Sequence, residues 1–178
     1  MLEIRTLELT DQAAFEQFQK LLLAEKAVGN TFIETRAVDD FVSFVEKAKR
    51  LENQTEDPNW STVTTYYCFK DGVIAGKISC RWELDKGDLA RAGGHIGYVT
   101  SPQFRRQGVM TGMLHFAFDR FHERGIHSLL ITANVKNTPS RKTIEKVGGQ
   151  LESILSLEED YPNPHMAGQD IARYWIDL

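Results

Sequence analysis

The chain has 178 residues, of which 42% are hydrophobic and 26% are charged, and its formal net charge is -4. Such a length and composition are ordinary for one globular domain over residues 1–178, and they exclude a disordered chain or one embedded in a membrane. The negative net charge offers no general attraction to nucleic acid or to an anionic membrane, so we expect neither as a partner.

The N-terminal part of the sequence predicts one strand and two helices. Thr10 is a suitable cap for the first helix, whose apolar side chains recur at helical spacing, and Gly29 with Asn30 ends it. The second helix is amphipathic, and the polar stretch after it contains Pro58 and is interpreted as a loop. The predicted elements are a strand at 2–7, helices at 10–28 and 41–51, and a loop at 53–60.

Strands and a helix alternate in the middle of the chain. Asp71-Gly72 is a two-residue turn signal between two apolar runs, which predicts a hairpin. The central strand is followed by Pro102 and then by a helix that ends near Gly125. A short apolar run after that helix is suited to a buried strand. The predicted strands cover residues 62–69, 73–84, 95–100 and 128–133.

The C-terminal part predicts a helix and two strands. Thr138 and Pro139 form a suitable cap and first turn, and Gly148 with Gly149 ends the helix. The strands are predicted at residues 150–157 and 171–176, on either side of a loop at 158–168. This order of elements gives the fold class α+β, or α/β in a looser scheme. We expect a mixed, mostly antiparallel sheet of about seven strands flanked by about four helices.

Residues 105–112, Arg-Arg-Gln-Gly-Val-Met-Thr-Gly, join a predicted strand to a predicted helix. The first amides of a helix have no partner within it and lie at the positive end of its dipole, where anions bind. Gly108 lets the backbone approach a phosphate closely, and Arg105 with Arg106 adds positive charge. The segment is a candidate pyrophosphate site. The alternative is a helix start with two solvated arginines and a packing glycine.

Two segments resemble the motifs of the GNAT superfamily of N-acetyltransferases. Residues 96–108, Ile-Gly-Tyr-Val followed by Ser-Pro-Gln-Phe-Arg-Arg-Gln-Gly, resemble motif A, a strand that leads into an Arg/Gln-x-x-Gly-x-Gly/Ala turn. Residues 137–149, from Asn-Thr-Pro-Ser-Arg to Glu-Lys-Val-Gly-Gly, resemble motif B. The predicted order of elements is also similar to that family. The sequence looks most like a bacterial subgroup of predicted acetyltransferases with unassigned substrates.

The resemblance implies an acetyl-CoA-dependent N-acetyltransferase that acts on an amine, with acetyl-CoA as cosubstrate and no metal. It implies that the pantetheine arm lies between the central strand and the next strand, which splay apart. It also implies that the backbone of residues 106–112 holds the pyrophosphate, with Arg105 supporting the loop. The implied cofactor contacts are Tyr98, Val99, Thr100, Arg105, Arg106, Gln107, Gly108, Val109, Met110, Thr111, Gly112, Asn134, Asn137 and Ser140.

Two positions depart from the family pattern. Met110 stands where the family usually has glycine or alanine, so the loop is expected to be tighter or aimed differently. Ile144 stands where many members carry a tyrosine that protonates the departing thiolate, and that role cannot be carried over to isoleucine.

Catalysis needs a base or a water relay for the amine proton and N-H donors for the oxyanion. By resemblance, the Val99 amide polarises the thioester carbonyl. His95 is the first candidate base, since an imidazole titrates near neutral pH, and Glu83 is the alternative base. Tyr98 or Tyr161 could act as the acid, and nothing in the spacing selects one.

The acceptor site is expected between the first two helices, at residues 30–36, and in the loop 158–168. Its acidic residues would suit a cationic amine or a peptide N-terminus; they are Glu34, Glu158, Glu159 and Asp160. A catalytically silent acyl-CoA-binding sensor is the alternative function. The two cysteines are expected to be buried free thiols, and the N-terminus lacks a signal peptide, so a cytoplasmic protein is expected. An exposed strand or the last hairpin offers a surface for a homodimer.

Overall fold

Each predicted strand and helix is present in the structure, a computed structural model that describes residues 2–178. The strands are β1 (Leu2–Arg5), β2 (Val63–Lys70), β3 (Val73–Arg81), β4 (Ile96–Thr100), β5 (Ser128–Asn134), β6 (Gln150–Ser156) and β7 (Asp170–Asp177). The α-helices are α1 (Gln12–Ala27), α2 (Phe41–Leu51), α3 (Val109–Glu123) and α4 (Thr138–Lys146). Short helical turns precede α1 and α3, and a π-helical turn covers Leu89–Gly93.

Three local predictions differ from the structure at the ends of elements. Asp11, after a short 3-10 turn, takes the N-cap position of α1 that was predicted for Thr10. Strand β3 ends at Arg81 instead of residue 84: the Trp82 amide still donates to the Thr62 carbonyl in the hairpin register, and the Glu83 amide then bonds the Ser61 hydroxyl instead of a backbone carbonyl. Polarity alone predicts neither local bond.

The N-terminus of α4 is also one residue earlier than predicted. Asn137 is the N-cap, and its Oδ1 accepts the Ser140 amide at 3.3 Å, so Thr138 and Pro139 are the first two helical residues. Asparagine is among the best N-cap residues because its side-chain oxygen satisfies an amide of the first turn.

All strand pairings are antiparallel, in the orders β1-β2-β3-β4 and β5-β7-β6. The β2–β3 hairpin turns at Asp71 and Gly72, whose φ angles of 52° and 81° are the positive values of the predicted tight turn. Strands β4 and β5 adjoin where the His95 amide donates to the Leu130 carbonyl at 2.7 Å. Beyond that point they do not pair, so the fold has two sheets that separate there.

Strand β3 divides the core because its side chains alternate between two faces. Ile78 and Cys80 pack in one buried cluster with α3, on the face where Met113 lies against Gly76. The opposite face belongs to α1 and α2, since Tyr67, directly across from Lys77, contacts aromatic rings of α1. Helices therefore cover both faces of the four-stranded sheet.

Cys68 and Cys80 are buried free thiols, as predicted. Among residues 2–178, no helix is both long enough and apolar enough to span a membrane.

Candidate active site

A pocket of about 780 Å³ opens where β4 and β5 separate. Its walls include residues 96–99 of β4 and 132–134 of β5, and the start of α4 contributes Asn137 and Ser140. Strand β3, residues 88–93, the segment after α1 and the loop between β6 and β7 contribute most of the remaining lining. Residues 105–112 follow directly after β4 and lie outside this lining, so the candidate site has a pocket and an adjoining loop.

The register of β3 and β4 fixes which backbone groups of β4 face the pocket. Arg81 donates to the His95 carbonyl and Ser101 donates to the Ala75 carbonyl, so the bonded residues of β4 are the odd-numbered ones. By this alternation the Val99 amide is directed at Lys77 of β3, away from the open edge. The free groups at that edge belong to Tyr98 and its even-numbered neighbours. The role predicted for the Val99 amide, which is to polarise the thioester carbonyl, is thus better suited to the Tyr98 amide.

The loop after β4 carries a run of unpaired backbone amides. From Arg105 to Thr111 no backbone amide finds an acceptor within residues 2–178, and the first bond of α3 is that from Gly112 to the Gly108 carbonyl at 3.0 Å. Gly108 is the N-cap of α3 and has a φ of 79°. Consecutive free amides at a helix N-terminus form a concave site for an anion.

The side chains of this loop leave its amide face open. A Cβ placed on Gly108 or Gly112 meets no atom within 4 Å. Met110, the residue that departs from the family pattern, is 7% exposed and directs its side chain into the core, towards Gly76 of β3. The volume of the Met110 side chain is therefore accommodated inside the protein, away from the amide face of the loop.

Arg105 and Arg106 have different surroundings. The Arg105 guanidinium forms two bonds to the Glu25 carboxylate of α1, at 2.5 and 2.6 Å, and its Nε donates to the Thr100 carbonyl at 3.3 Å. Arg105 therefore ties the loop to α1, and this ion pair holds the pKa of Glu25 below its usual value. Arg106 has a φ of 59° and is exposed, with its charge free for a ligand.

Tyr98 and Ser140 connect β4 to α4 inside the pocket. Their hydroxyl oxygens are 2.8 Å apart, and the Tyr98 hydroxyl also lies 3.2 Å from the Ser140 carbonyl. Burial raises the pKa of Tyr98 to about 12, so the phenol stays protonated near neutral pH. Asn137 uses its Oδ1 for the helix cap, which leaves its amide nitrogen available to a ligand. The Asn134 side chain is instead engaged within the protein, since its Nδ2 donates to Gln169 and its Oδ1 accepts the Lys136 amide.

His95 lies at the junction of the two sheets and is 4% exposed. Its Nδ1 accepts the Leu130 amide at 3.0 Å, and its ring packs edge-on against Phe121. Burial, with a smaller contribution from the Arg81 charge, lowers the pKa of His95 to about 4. His95 is outside the pocket lining. These contacts give His95 a structural role at the junction of the two sheets, and they do not support its predicted role as general base.

Glu83, the alternative base, also lies outside the pocket lining. Its carboxylate accepts the Thr62 amide at 2.8 Å and the Thr62 hydroxyl at 3.0 Å, and these bonds lower the pKa of Glu83. Tyr161 does line the pocket, where its hydroxyl donates to Asp88, and burial raises the pKa of Tyr161 to about 12.

The two segments expected to form the acceptor site both reach the pocket. Residues 31–35 supply one side, including Glu34, and residues 161–169 supply the other. Glu158 is paired with Arg91 at 2.6 Å and lies outside the lining. Of the acidic residues predicted there, Glu34 is the one that faces the pocket.

The sequence analysis missed Lys77 and Arg81, which line the pocket from β3 together with Ser79 between them. The signal was present as Lys-x-Ser-x-Arg within an apolar run, since residues two apart in a strand share one face. Within the described chain, no group of histidine, cysteine, aspartate or glutamate side chains could hold a metal ion.

The family model for the acetyltransferase (GNAT) domain matches residues 1–150 of this chain. No curated protein sequence matches this chain. The fold is similar to that of solved structures with low sequence identity. One is an acetyltransferase of Salmonella typhimurium that modifies the N-terminal serine of the 50S ribosomal subunit protein L7/L12, with 22% identity, a TM-score of 0.72, and coverage of 99% of this chain and 95% of that one.

Two further structures were determined with ligands. Mycobacterium smegmatis RimJ, in complex with CoA-disulfide, has 19% identity and a TM-score of 0.71 over 99% of this chain and 82% of that one. The microcin C7 self-immunity acetyltransferase MccE, in complex with acetyl-CoA and AMP, has 23% identity and a TM-score of 0.67 over 99% of this chain and 93% of that one.

Proposed function

Because this chain belongs to the GNAT acetyltransferase family, whose members transfer acetyl groups from acetyl-CoA, we propose that it acetylates an amine of a small molecule or peptide. One acetyltransferase domain over residues 1–178 carries the activity. Acetyl-CoA supplies the acetyl group as a thioester, and the amine takes it to form an amide as the thiol is released.

The run of free amides from Arg105 to Thr111 is the observation that carries the proposal. An unpaired backbone amide is costly in a folded protein unless water or a ligand satisfies it, and here several adjoin one helix N-terminus. The open face at Gly108 and the free charge of Arg106 fit a pyrophosphate. The chain's residues therefore suit the CoA moiety.

The edge of β4 is proposed to hold the pantetheine arm. The Tyr98 backbone groups face the gap between the sheets, and Asn137 offers a side-chain N-H from the other side. These donors extend the amide run into the pocket, where the Tyr98 amide can stabilise negative charge on the thioester oxygen.

Two side-chain roles follow from the pocket. The Tyr98 hydroxyl, which lies in the pocket beside the Ser140 hydroxyl, is proposed as the acid that protonates the thiolate, in place of the tyrosine that Ile144 cannot supply. Because His95 and Glu83, the two predicted bases, lie outside the pocket lining, a water relay is proposed for the amine proton. Ile144 itself is fully buried in the core.

Acetyl transfer is tested with purified protein, acetyl-CoA and a panel of primary amines and short peptides. Release of free thiol and a product mass increased by one acetyl group, both dependent on the amine, support the proposal. Binding of acetyl-CoA without turnover on any amine would instead support the sensor alternative. The cytoplasmic location and the homodimer stay predictions.

A further inference from the structure

Lys77 and Arg81 place two cations on one wall of the pocket. They lie four residues apart on β3, and the alternation of the strand directs both side chains to the same face, with Ser79 between them. Lys77 pairs in register with Val99, and Ser79 pairs with Gly97. Both side chains therefore line the same pocket as the part of β4 at which we propose the thioester.

The Arg81 guanidinium is held in a defined position. Nη1 donates to the carbonyls of Gly93 and Gly94, at 3.0 and 3.1 Å. Nη2 is 3.0 Å from the position a Cβ would take on Gly97, so the guanidinium extends across the glycine of β4. The absence of a side chain at Gly97 makes room for it.

No carboxylate pairs with either cation in the part of the chain that the structure describes. Glu34 is near enough to favour their charged forms, but it is exposed and makes no ion pair with them. The other acidic residue of the lining, Asp88, already accepts the Tyr161 hydroxyl and lies 3.6 Å from Arg91. Two cations thus face the pocket against one exposed, unpaired carboxylate.

This arrangement leaves two half-buried cations in the pocket wall without an anionic partner among the described residues. Burial lowers the pKa of both Lys77 and Arg81, which is the consequence of removing a cation from water without a partner. Arg81 is bonded to neutral carbonyls alone, and Lys77 has no hydrogen bond among the described residues. A carboxylate or phosphate in the pocket would pair with both.

The phosphates of CoA are not the anion that fits this place. The amide run lies at the N-terminus of α3, which packs on the Ile78 face of β3. Lys77 and Arg81 project from the opposite face, on the side of α1 and of residues 31–35. Lys77 and Arg81 line the pocket, whereas the amide run lies outside its lining, and the pantetheine arm between them is uncharged. The anion must therefore come from the acceptor.

We propose that the acceptor amine carries a carboxylate, which Lys77 and Arg81 bind while the amine faces the thioester. The inference rests on the proposed function, because it assigns the acceptor of that reaction. The substrate class is a free amino acid or a short peptide with its own carboxylate. This departs from the cationic acceptor that the acidic residues suggested, because Glu34 is outweighed by the two cations.

Matched acceptors test the carboxylate directly. L-Alanine, L-phenylalanine and Gly-Ala are each compared with the corresponding C-terminal amide, and 2-aminoethyl phosphate serves as the phosphate-bearing amine. The expected result is a kcat/KM for the carboxylates about tenfold to a hundredfold above that for the amides. Equal turnover of acids and amides, or a preference for 2-aminoethyl phosphate, would overturn the assignment.

Variants test whether the two cations are responsible. Lys77→Met and Arg81→Lys should each reduce the acid preference about tenfold or more, while Lys47→Met, which removes an exposed lysine of α2, should leave it unchanged. Arg81→Lys keeps the positive charge and loses the two terminal nitrogens of the guanidinium. A folded variant is therefore expected, and circular dichroism checks this. An acid preference that survives in both variants contradicts the proposal.

A binding experiment separates failure of this inference from failure of the proposed function. N-acetyl-L-alanine and its amide are titrated by calorimetry into CoA-saturated protein, with no turnover required. Tighter binding of the acid that depends on Lys77 supports the site even where no amine is acetylated. Equal affinity for the acid and the amide overturns it, whatever the turnover result.

Discussion

Replacing His95 with asparagine separates the structural role of this residue from the catalytic role predicted for it. The asparagine Oδ1 can accept the Leu130 amide as the imidazole Nδ1 does, at 3.0 Å in the native protein, and asparagine does not titrate. The variant therefore keeps the bond between the two sheets and removes the ionisable group.

The magnitude follows from the two pKa values of the imidazole. In the folded protein burial holds it at about 4, while the ordinary value is 6.5. Below pH 6.5 the unfolded chain binds a proton that the folded chain does not, so acid favours unfolding until the folded pKa is reached. The full difference corresponds to about 3 kcal/mol, of which about 2 kcal/mol is lost between about pH 7 and about pH 4.5, since pH 4.5 is still above the folded pKa.

Urea denaturation at about pH 7 and about pH 4.5 measures this effect. Between the two pH values, the free energy of unfolding of the native protein should fall by about 2 kcal/mol more than that of His95→Asn. The control variant His127→Asn, which alters an exposed histidine of the same region, should behave like the native protein. The reasoning would be refuted if acid lowered the free energy of unfolding equally in the native protein and in His95→Asn. Unchanged kcat in His95→Asn is also expected, whereas a large fall with unchanged acetyl-CoA affinity would restore the base role.

Three further substitutions test the cofactor site and the acid. Gly108→Trp should abolish acetyl-CoA binding with the fold retained, because a Cβ at this position meets no protein atom and the indole would cover the amide run. Gly108→Ala carries the same backbone strain of about 1 kcal/mol and should still bind. Asn137→Ala should cost about 1 kcal/mol in thermal unfolding by removing the α4 cap, and it should weaken acetyl-CoA binding measured by calorimetry. Tyr98→Phe should lower kcat about a hundredfold with little change in acetyl-CoA affinity, and an unchanged kcat would exclude the Tyr98 hydroxyl as the acid.

The sequence predicted the elements well because local signals determine them. The turn at Asp71-Gly72, the stop at Gly125 and the apolar periodicity of α2 all depend on neighbouring residues. Helix caps were less predictable, since Thr10 and Asp11 are both suitable and the bond from Arg5 to Asp11 decides between them. That choice depends on β1, which lies outside the local window.

Long-range packing explains what the sequence could not predict about the site. His95 looks like a catalytic residue by type and position, yet its neighbours Leu130 and Phe121 come from other elements and bury it. Met110 departs from the family pattern, and the space beside Gly76 that accommodates it is visible only in three dimensions. Lys77 and Arg81 are candidate binding residues because they line the pocket that opens between β4 and β5. The residue pattern of a strand does not predict that pocket.

The most direct test of the proposed function is a calorimetric titration of the purified protein with acetyl-CoA, with free CoA, a longer acyl-CoA and ATP as comparators. The free amides from Arg105 to Thr111 and the open edge of β4 predict binding in the micromolar range that is selective for CoA species over ATP. Absence of binding to any CoA species would contradict the assignment of this site and, with it, the proposed acetyl transfer.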